Sequence, residues 1–363
     1  MIDPVSYLVL ILVVVGLSAA MPVLRDSPIA RLFWAVAPGV LLLFVTNGSA
    51  LLFAVFAVAF NIALFSACRM IDRPRLNARL PYLILLLLFI PDVANAFNRT
   101  PVLYLGAAFF VIRQMMTTTA AIKKKVSMQD YLPALAMASF FFAALPSGPV
   151  FNGLDAMKTL KKRAAPQFAE GFYRIFEGFV YLFAVAGFLS LGMEHIDTLE
   201  RGFHQRGAFL SYGFLHFGVL PLLAFGFLFG TFYGYSRMAE GTALLLGFTV
   251  PQNFNKPHLA RDLGDYWKRW HRSMADFVMQ YIYLPIMVSS GNAKVALISA
   301  FVFMGLWHDL SLGFLIWGAG HGVGLAYALP WARKRDVNAL AIRVVSLIYV
   351  VFLSAIAHGV WFR

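Results

Sequence analysis

Three histidines stand where residue type and spacing could do chemistry. His321 sits in Trp317-Gly318-Ala319-Gly320-His321-Gly322-Val323-Gly324, inside an apolar run over 312–329. A helix opening at Leu312, capped by Asp309 or Ser311, rises 1.5 Å per residue. His321 then falls roughly 15 Å along it, near the middle of a bilayer. A titratable side chain at that depth is expensive and by default functional. The competing explanation is a satisfied core histidine whose neighbouring glycines serve close helix packing. His308 closes Gly305-Leu306-Trp307-His308 near one membrane face, and His271 follows Trp270 in a basic, aromatic stretch. A lone imidazole can take the proton of a hydroxyl as it attacks an already activated thioester, whose leaving group is good. That chemistry is acyl transfer. A nucleophilic serine would want a G-x-S-x-G elbow, which the chain lacks, and no histidine spacing suits a metal.

Other elements must position these groups. From Asp262, the residues Leu263, Tyr266, Trp267, Trp270, Met274 and Phe277 recur at helical spacing, with Lys268, Arg269 and Arg272 on the other side. This predicts one amphipathic helix lying in the membrane interface, entered through Asn253-Phe254-Asn255-Lys256-Pro257, with His271 bordering its aromatic face. Leu145-Pro146-Ser147-Gly148-Pro149 cannot belong to an ordinary lipid-facing helix, so a buried re-entrant element is expected there.

The 363 residues are 60% hydrophobic and only 13% charged. Soluble domains are roughly 45–50% apolar and about a quarter charged, so the chain is expected to be all-α and polytopic. Apolar runs cover 5–24, 32–46, 50–70, 80–96, 102–122, 131–145, 168–191, 208–229, 231–250, 277–288, 295–307, 312–329 and 342–361. Several are short, so about 10–12 membrane segments are expected around a central tunnel, in one domain over 1–363. Its parts would be N-terminal spans over 1–130, a core over 131–330 and a C-terminal span over 331–363. The run at 5–24 lacks a basic leader and reads as a span rather than a removable signal. The single cysteine, Cys68, excludes a disulfide framework.

The net charge of +13 is dispersed in short clusters between apolar runs, at 69–79, 123–125, 158–163, 256–272 and 333–335. That is the pattern of positive-inside loops facing anionic lipid, in a multi-pass protein of the cytoplasmic (inner) membrane, and it argues against nucleic acid. With the N-terminus outside, Asn47-Gly48-Ser49 and Asn98-Arg99-Thr100 fall outside and the clusters at 69–79 and 123–125 inside.

Several of these segments share an order and a spacing. Tyr233-Gly234-Tyr235-Ser236-Arg237-Met238-Ala239-Glu240-Gly241 comes first, then Pro251-x-Asn253-Phe254-Asn255-x-Pro257. Tyr266-Trp267-x-Arg269-Trp270-His271-x-Ser273, Gly305-Leu306-Trp307-His308 and Trp317-Gly318-x-x-His321-Gly322 complete the series. Together they resemble the membrane-bound O-acyltransferase family, in its bacterial branch of alginate and peptidoglycan O-acetylases and teichoic-acid D-alanyl transferases. The likeness is dense over about 231–325 and thinner from about 131. It implies that His321 is the catalytic histidine, acting as general base, and that His271 assists it. Trp267, Trp270 and Trp317 would wall a tunnel, and His308, Asn253, Asn255, Arg269 and Ser236 would line it or hold the donor. No bound cofactor is implied. The donor would be an acyl-CoA or an acylated carrier protein, and the acceptor a surface polymer or an extracytoplasmic acyltransferase partner. A different class remains open on the residues alone, a transporter or flippase of a lipid-linked saccharide. Arg174, Glu177, Arg237 and Glu240 would then line its path, unless Arg174/Glu177 and Arg237/Glu240 simply neutralise each other at i,i+3.

Overall fold

The protein is described here from a computed structural model covering residues 4–20, 27–46, 48–71, 73–89, 107–162, 167–205, 209–335 and 337–360. Every regular element among them is helical. Among the described residues six helices are long and apolar enough to cross a membrane: Pro28–Val45, Ala50–Met70, Phe168–Leu199, Leu215–Leu245, Leu312–Lys334 and Ala339–Ala357. Other expected segments are shorter helices, such as Ala293–His308 and Met128–Phe140. The separate runs at 208–229 and 231–250 are corrected to one helical rod through Leu245, because nothing around Gly230 breaks the backbone ladder. Much of the run at 80–96, the loop Asn98-Arg99-Thr100 and residues 102–106 lie outside the described residues.

By backbone contacts the chain forms two compact units that interleave along the sequence. The first comprises 1–179 and 234–252, the second 180–233 and 253–363.

The first unit contains the irregular element foreseen around Pro146. The helix Met128–Phe140 ends, a short 3-10 turn spans Phe142–Ala144, and residues 141–146 are all buried. Its exposed carbonyls are met from inside the protein, as a backbone without helix bonds requires at membrane depth. Arg113, fully buried, donates from Nε to the Ala138 carbonyl (2.8 Å) and from Nη1 to that of Ala144 (3.1 Å), so it holds both flanks of the turn. A chain of buried polar groups lies beside it. Thr118 donates to Asn61, Asn61 to Gln114, and Gln114 to Ser139, at 2.7–2.9 Å.

Of the two i,i+3 pairs expected in this unit, Arg237/Glu240 is present and Arg174/Glu177 is not. Arg174 pairs with Glu170 at 2.6 Å and with Glu240 at 3.3 Å. Arg237 pairs with Glu240 at 2.8 Å and also with Glu177. Glu240 is almost wholly buried and bridges both guanidinium groups. Glu177 therefore belongs to Arg237, not Arg174, because helix-to-helix pairing outcompetes the neighbour three residues along. The four charges offered for a transport path are mutually bonded.

Candidate active site

The second unit gathers the chemistry. The helix Leu312–Val323 starts at Ser311, whose Oγ accepts from the Phe314 N–H, so Ser311 rather than Asp309 is the cap. It lies flat against Ala293–His308 because two glycines remove the side chains between them. A Cβ on Gly305 would sit 2.2 Å from the Phe314 carbonyl oxygen, and one on Gly318 would sit 2.4 Å from that of Phe301. These two glycines serve close helix packing.

His321 faces inward from this helix and is completely buried. Rings surround it edge-on: Trp317 at 4.8 Å, Trp267 at 5.0 Å and Tyr349 at 5.7 Å between centroids. Tyr349 donates its hydroxyl proton to the Gly320 carbonyl (2.7 Å), fixing the neighbouring turn. The indole Nε1–H of Trp267 donates to His321 Nδ1 at 3.3 Å. The other ring nitrogen, Nε2, is buried with no protein partner.

The amphipathic segment is not one helix. Asp262 caps Leu263–Trp267 by accepting from the Asp265 N–H (2.8 Å), then the helix stops and restarts at Arg272–Val278. Burial alone would raise the Asp262 carboxyl, but hydrogen bonds from the Asp265 N–H and from Arg333 outweigh it and hold it below its usual range. At the break His271 adopts left-handed backbone angles (φ +43°). The cause is a strap from the preceding strand of irregular chain. Asn255 donates its N–H to the Arg269 carbonyl, and Arg272 donates its own to the Asn253 carbonyl, both at 2.9 Å. The Asn253 side chain also accepts from Ser273 Oγ. These bonds replace the helix ladder across 268–271 and turn the His271 side chain inward, where it is 5% exposed and packs edge-on against Phe232. Burial, with His308 nearby, pushes the His271 imidazole well below its ordinary value.

A pocket of about 110 Å³ collects the candidates. His271, His308, His321, Trp267, Trp270 and Trp317 all line it. Trp270 stacks between Phe225 (5.5 Å) and Tyr266 (5.6 Å), and His308 lies on Phe314 at 5.3 Å. Asn253, Asn255 and Arg269 do not line it. They hold the turn, and Arg269 spends its guanidinium on Asp265 (3.0 Å) and the Asn255 carbonyl. Ser236 is buried in the first unit and is likewise not among the lining residues. Sequence reasoning missed His358, which lines the pocket beside Phe314, because a lone histidine late in an apolar run has no partner at motif spacing. Among the described residues no three of His, Cys, Asp and Glu converge on a metal-binding position.

A second cavity, about 430 Å³, also has Trp267 in its lining. Its wall is mostly apolar, including Ala300, Phe301 and Met304, with Asp276 and the exposed Lys268 and Arg272 also among its lining residues. Trp267 and Met304 line both spaces.

Comparison with known proteins bears on this arrangement. A sequence model of the membrane-bound O-acyltransferase family matches residues 104–360, which include the whole pocket. A probable alginate O-acetylase of Pseudomonas aeruginosa is 31% identical over 229 residues, 61% of this chain and 41% of that protein. A teichoic acid D-alanyltransferase of Streptococcus thermophilus is 24% identical over 274 residues, 70% of this chain and 64% of that protein. A peptidoglycan O-acetyltransferase of Helicobacter pylori is 35% identical over 192 residues, 51% of this chain and 35% of that protein. The chain spans about half the length, or less, of the alginate O-acetylases it matches.

Proposed function

Since this chain belongs to the membrane-bound O-acyltransferase family, we propose that it moves an acyl group from a thioester donor to a hydroxyl of a cell-envelope polymer, or to an extracytoplasmic partner that passes it on. The observation that carries this reading is His321. It is a completely buried imidazole, walled by tryptophans, with one ring nitrogen left without a protein partner, and it lines a pocket that shares Trp267 with a larger cavity. The larger cavity suits the donor. A thioester of CoA or of a carrier protein ends in a long, thin pantetheine arm behind phosphate. An apolar shaft with Lys268 and Arg272 beside it offers burial to the arm and charge to the phosphate. The acyl end would then meet Trp267 and the small pocket, where the acceptor hydroxyl must also arrive. Histidines of that pocket, His321 and His271 foremost, handle the reacting groups in a space that excludes water. The names of the relatives speak of acetyl and D-alanyl groups and of alginate, peptidoglycan and teichoic acid, all hydroxyl-bearing envelope polymers or their modification. The cytoplasmic membrane, where a cytosolic thioester and an envelope acceptor can both be reached, is the proposed location.

The experiment is direct. Purified protein in lipid is given radiolabelled acetyl-CoA and, separately, a carrier protein charged with a labelled acyl group. Loss of thioester from one of them, absent in the His321→Gln protein, is expected. Two intact donors in the presence of acceptor polymer would overturn the reading.

A further inference from the structure

The pocket around His321 reaches the surface at one end. Of the residues that line it, His308 and His358 are the exposed ones, and the Phe314 ring packs against both, at 5.3 Å and 5.2 Å between centroids. From this mouth the lining follows one face of Leu312–Val323. Phe314, Trp317 and His321 stand at i, i+3 and i+7, so His321 lies roughly 10 Å further along the axis. Trp317 packs edge-on against His308 (5.6 Å) and His321 (4.8 Å), linking the two ends. Charge indicates which side the mouth faces. His308 ends Ala293–His308, Ser311 opens Leu312–Val323 and His358 closes Ala339–Ala357, so three helix ends meet there. The basic residues Lys294, Arg333, Lys334, Arg335 and Arg343 belong to the opposite ends of these rods, where Lys294 lies 4.3 Å from the centre of the Tyr327 ring. Near the mouth are Asp309 and, on the helix whose Ile196 packs with Ala355 and Val360, Glu194, Asp197 and Arg201. Those charges make no positive excess among the described residues, so the mouth faces away from the cytosol.

His358 brings a defined polar group to this mouth. Its Nδ1 lies 2.9 Å from the Ser354 carbonyl oxygen, which can only accept, so Nδ1 carries the hydrogen. In the neutral ring the lone pair then belongs to Nε2, the nitrogen farther from the backbone. We propose that His358 is an acceptor-binding residue, whose Nε2 accepts a hydrogen bond from one hydroxyl of a saccharide while another hydroxyl of the same molecule reaches His321. This rests on the acyl-transfer reading above and names its acceptor class. A hydroxyl at the mouth and a second one roughly 10 Å deeper belong to a polyhydroxylated chain. The single hydroxyl of a serine or tyrosine side chain does not meet both positions. Between the two imidazoles, Phe314 and Trp317 offer apolar ring surface to the C–H groups of such a chain.

The test reads sidedness and binding before turnover. A single cysteine from His358→Cys, in a chain with Cys68 replaced, should react with an impermeant maleimide from outside intact cells. Calorimetry of the full chain in lipid discs then measures binding of two probes, a glucose tetrasaccharide and an N-acetylglucosamine tetrasaccharide, to wild type, His358→Ala and His358→Gln. At least one probe is expected to bind, His358→Ala to weaken it by roughly 2- to 10-fold, the worth of one hydrogen bond, and His358→Gln to restore most of the affinity through its amide oxygen. In turnover the acceptor KM should rise by the same factor, with kcat and the donor KM unchanged. Shielding of position 358 from outside, binding of neither tetrasaccharide, equal affinity in wild type and His358→Ala, or a rise in the donor KM would overturn the proposal. So would transfer to a serine peptide in preference to both saccharides. Binding is read whether or not any thioester is consumed, so a saccharide held through His358 beside intact donors would fail the acyl-transfer reading alone.

Discussion

At the scale of single residues, His321 and His308 line the same pocket yet differ in surroundings. His321 is sealed among rings with a defined hydrogen bond, whereas His308 is exposed at the end of its helix and stacked on Phe314. Gln at 321 keeps some hydrogen-bonding capacity but loses the imidazole, and a positioned catalytic group is worth roughly 10²–10⁴-fold. His321→Gln is therefore expected to lower acyl transfer by about that factor at unchanged extraction yield and melting temperature. His308→Gln should cost far less, and a dead His308→Gln beside an active His321→Gln would exchange their roles. His321 was legible in the sequence because a titratable residue deep in an apolar run is costly to keep. The place of His271 in the pocket was not. Helical periodicity continues unbroken through Trp267, Trp270 and Met274, while the bonds that stop the helix come from Asn253 and Asn255, at a distance no local pattern reports. The same blindness hid the bonds by which Asn253, Asn255 and Arg269 hold a turn.

At the scale of elements, the pocket depends on how closely Ala293–His308 and Leu312–Val323 approach. Any Cβ at Gly318 drives into backbone of the facing helix, and backbone cannot move aside as a flexible side chain can. Gly318→Ala is expected to cost on the order of 1–3 kcal/mol, the usual penalty of overpacking, with a lower melting temperature and a parallel loss of transfer. Gly187→Ala is the matched control, since a Cβ there meets nothing within 4 Å. Equal melting temperatures for the two variants would mean that the helices are not held at this distance. The glycine stripe was visible in the sequence, but the partner it packs against was not, because that depends on what the opposite helix presents. The irregular element near Pro146 was readable from its prolines alone. What closes it, the Arg113 guanidinium, arrives from another helix.

At the scale of the whole molecule, composition alone gave a helical membrane protein, and the spans confirm that class. The sidedness of its loops is a prediction of charge. Residues 69–79 and 123–125 carry basic clusters and should share the cytosolic face. Single cysteines placed at Arg75 and Lys124, in a chain with Cys68 replaced, should both be shielded from an impermeant maleimide in intact cells and react once the membrane is opened. Labelling of only one of them from outside would break the map. Helices of the chain are also interrupted by π-turns, at Val180–Val185, Leu215–Val219, Met279–Tyr283 and Gly324–Ala328. Each wide turn takes up one residue beyond α-helical winding, so every side chain past it is rotated by about 100° from where a continuous helix would put it. A helical wheel drawn from Leu312 to Lys334 thus assigns Leu329 and Trp331 to the wrong face. The corresponding rule for bookkeeping across relatives is that a gap of one residue inside a span is physically ordinary here. Comparisons that forbid such gaps will shift the residues of one protein against the wrong partners in another.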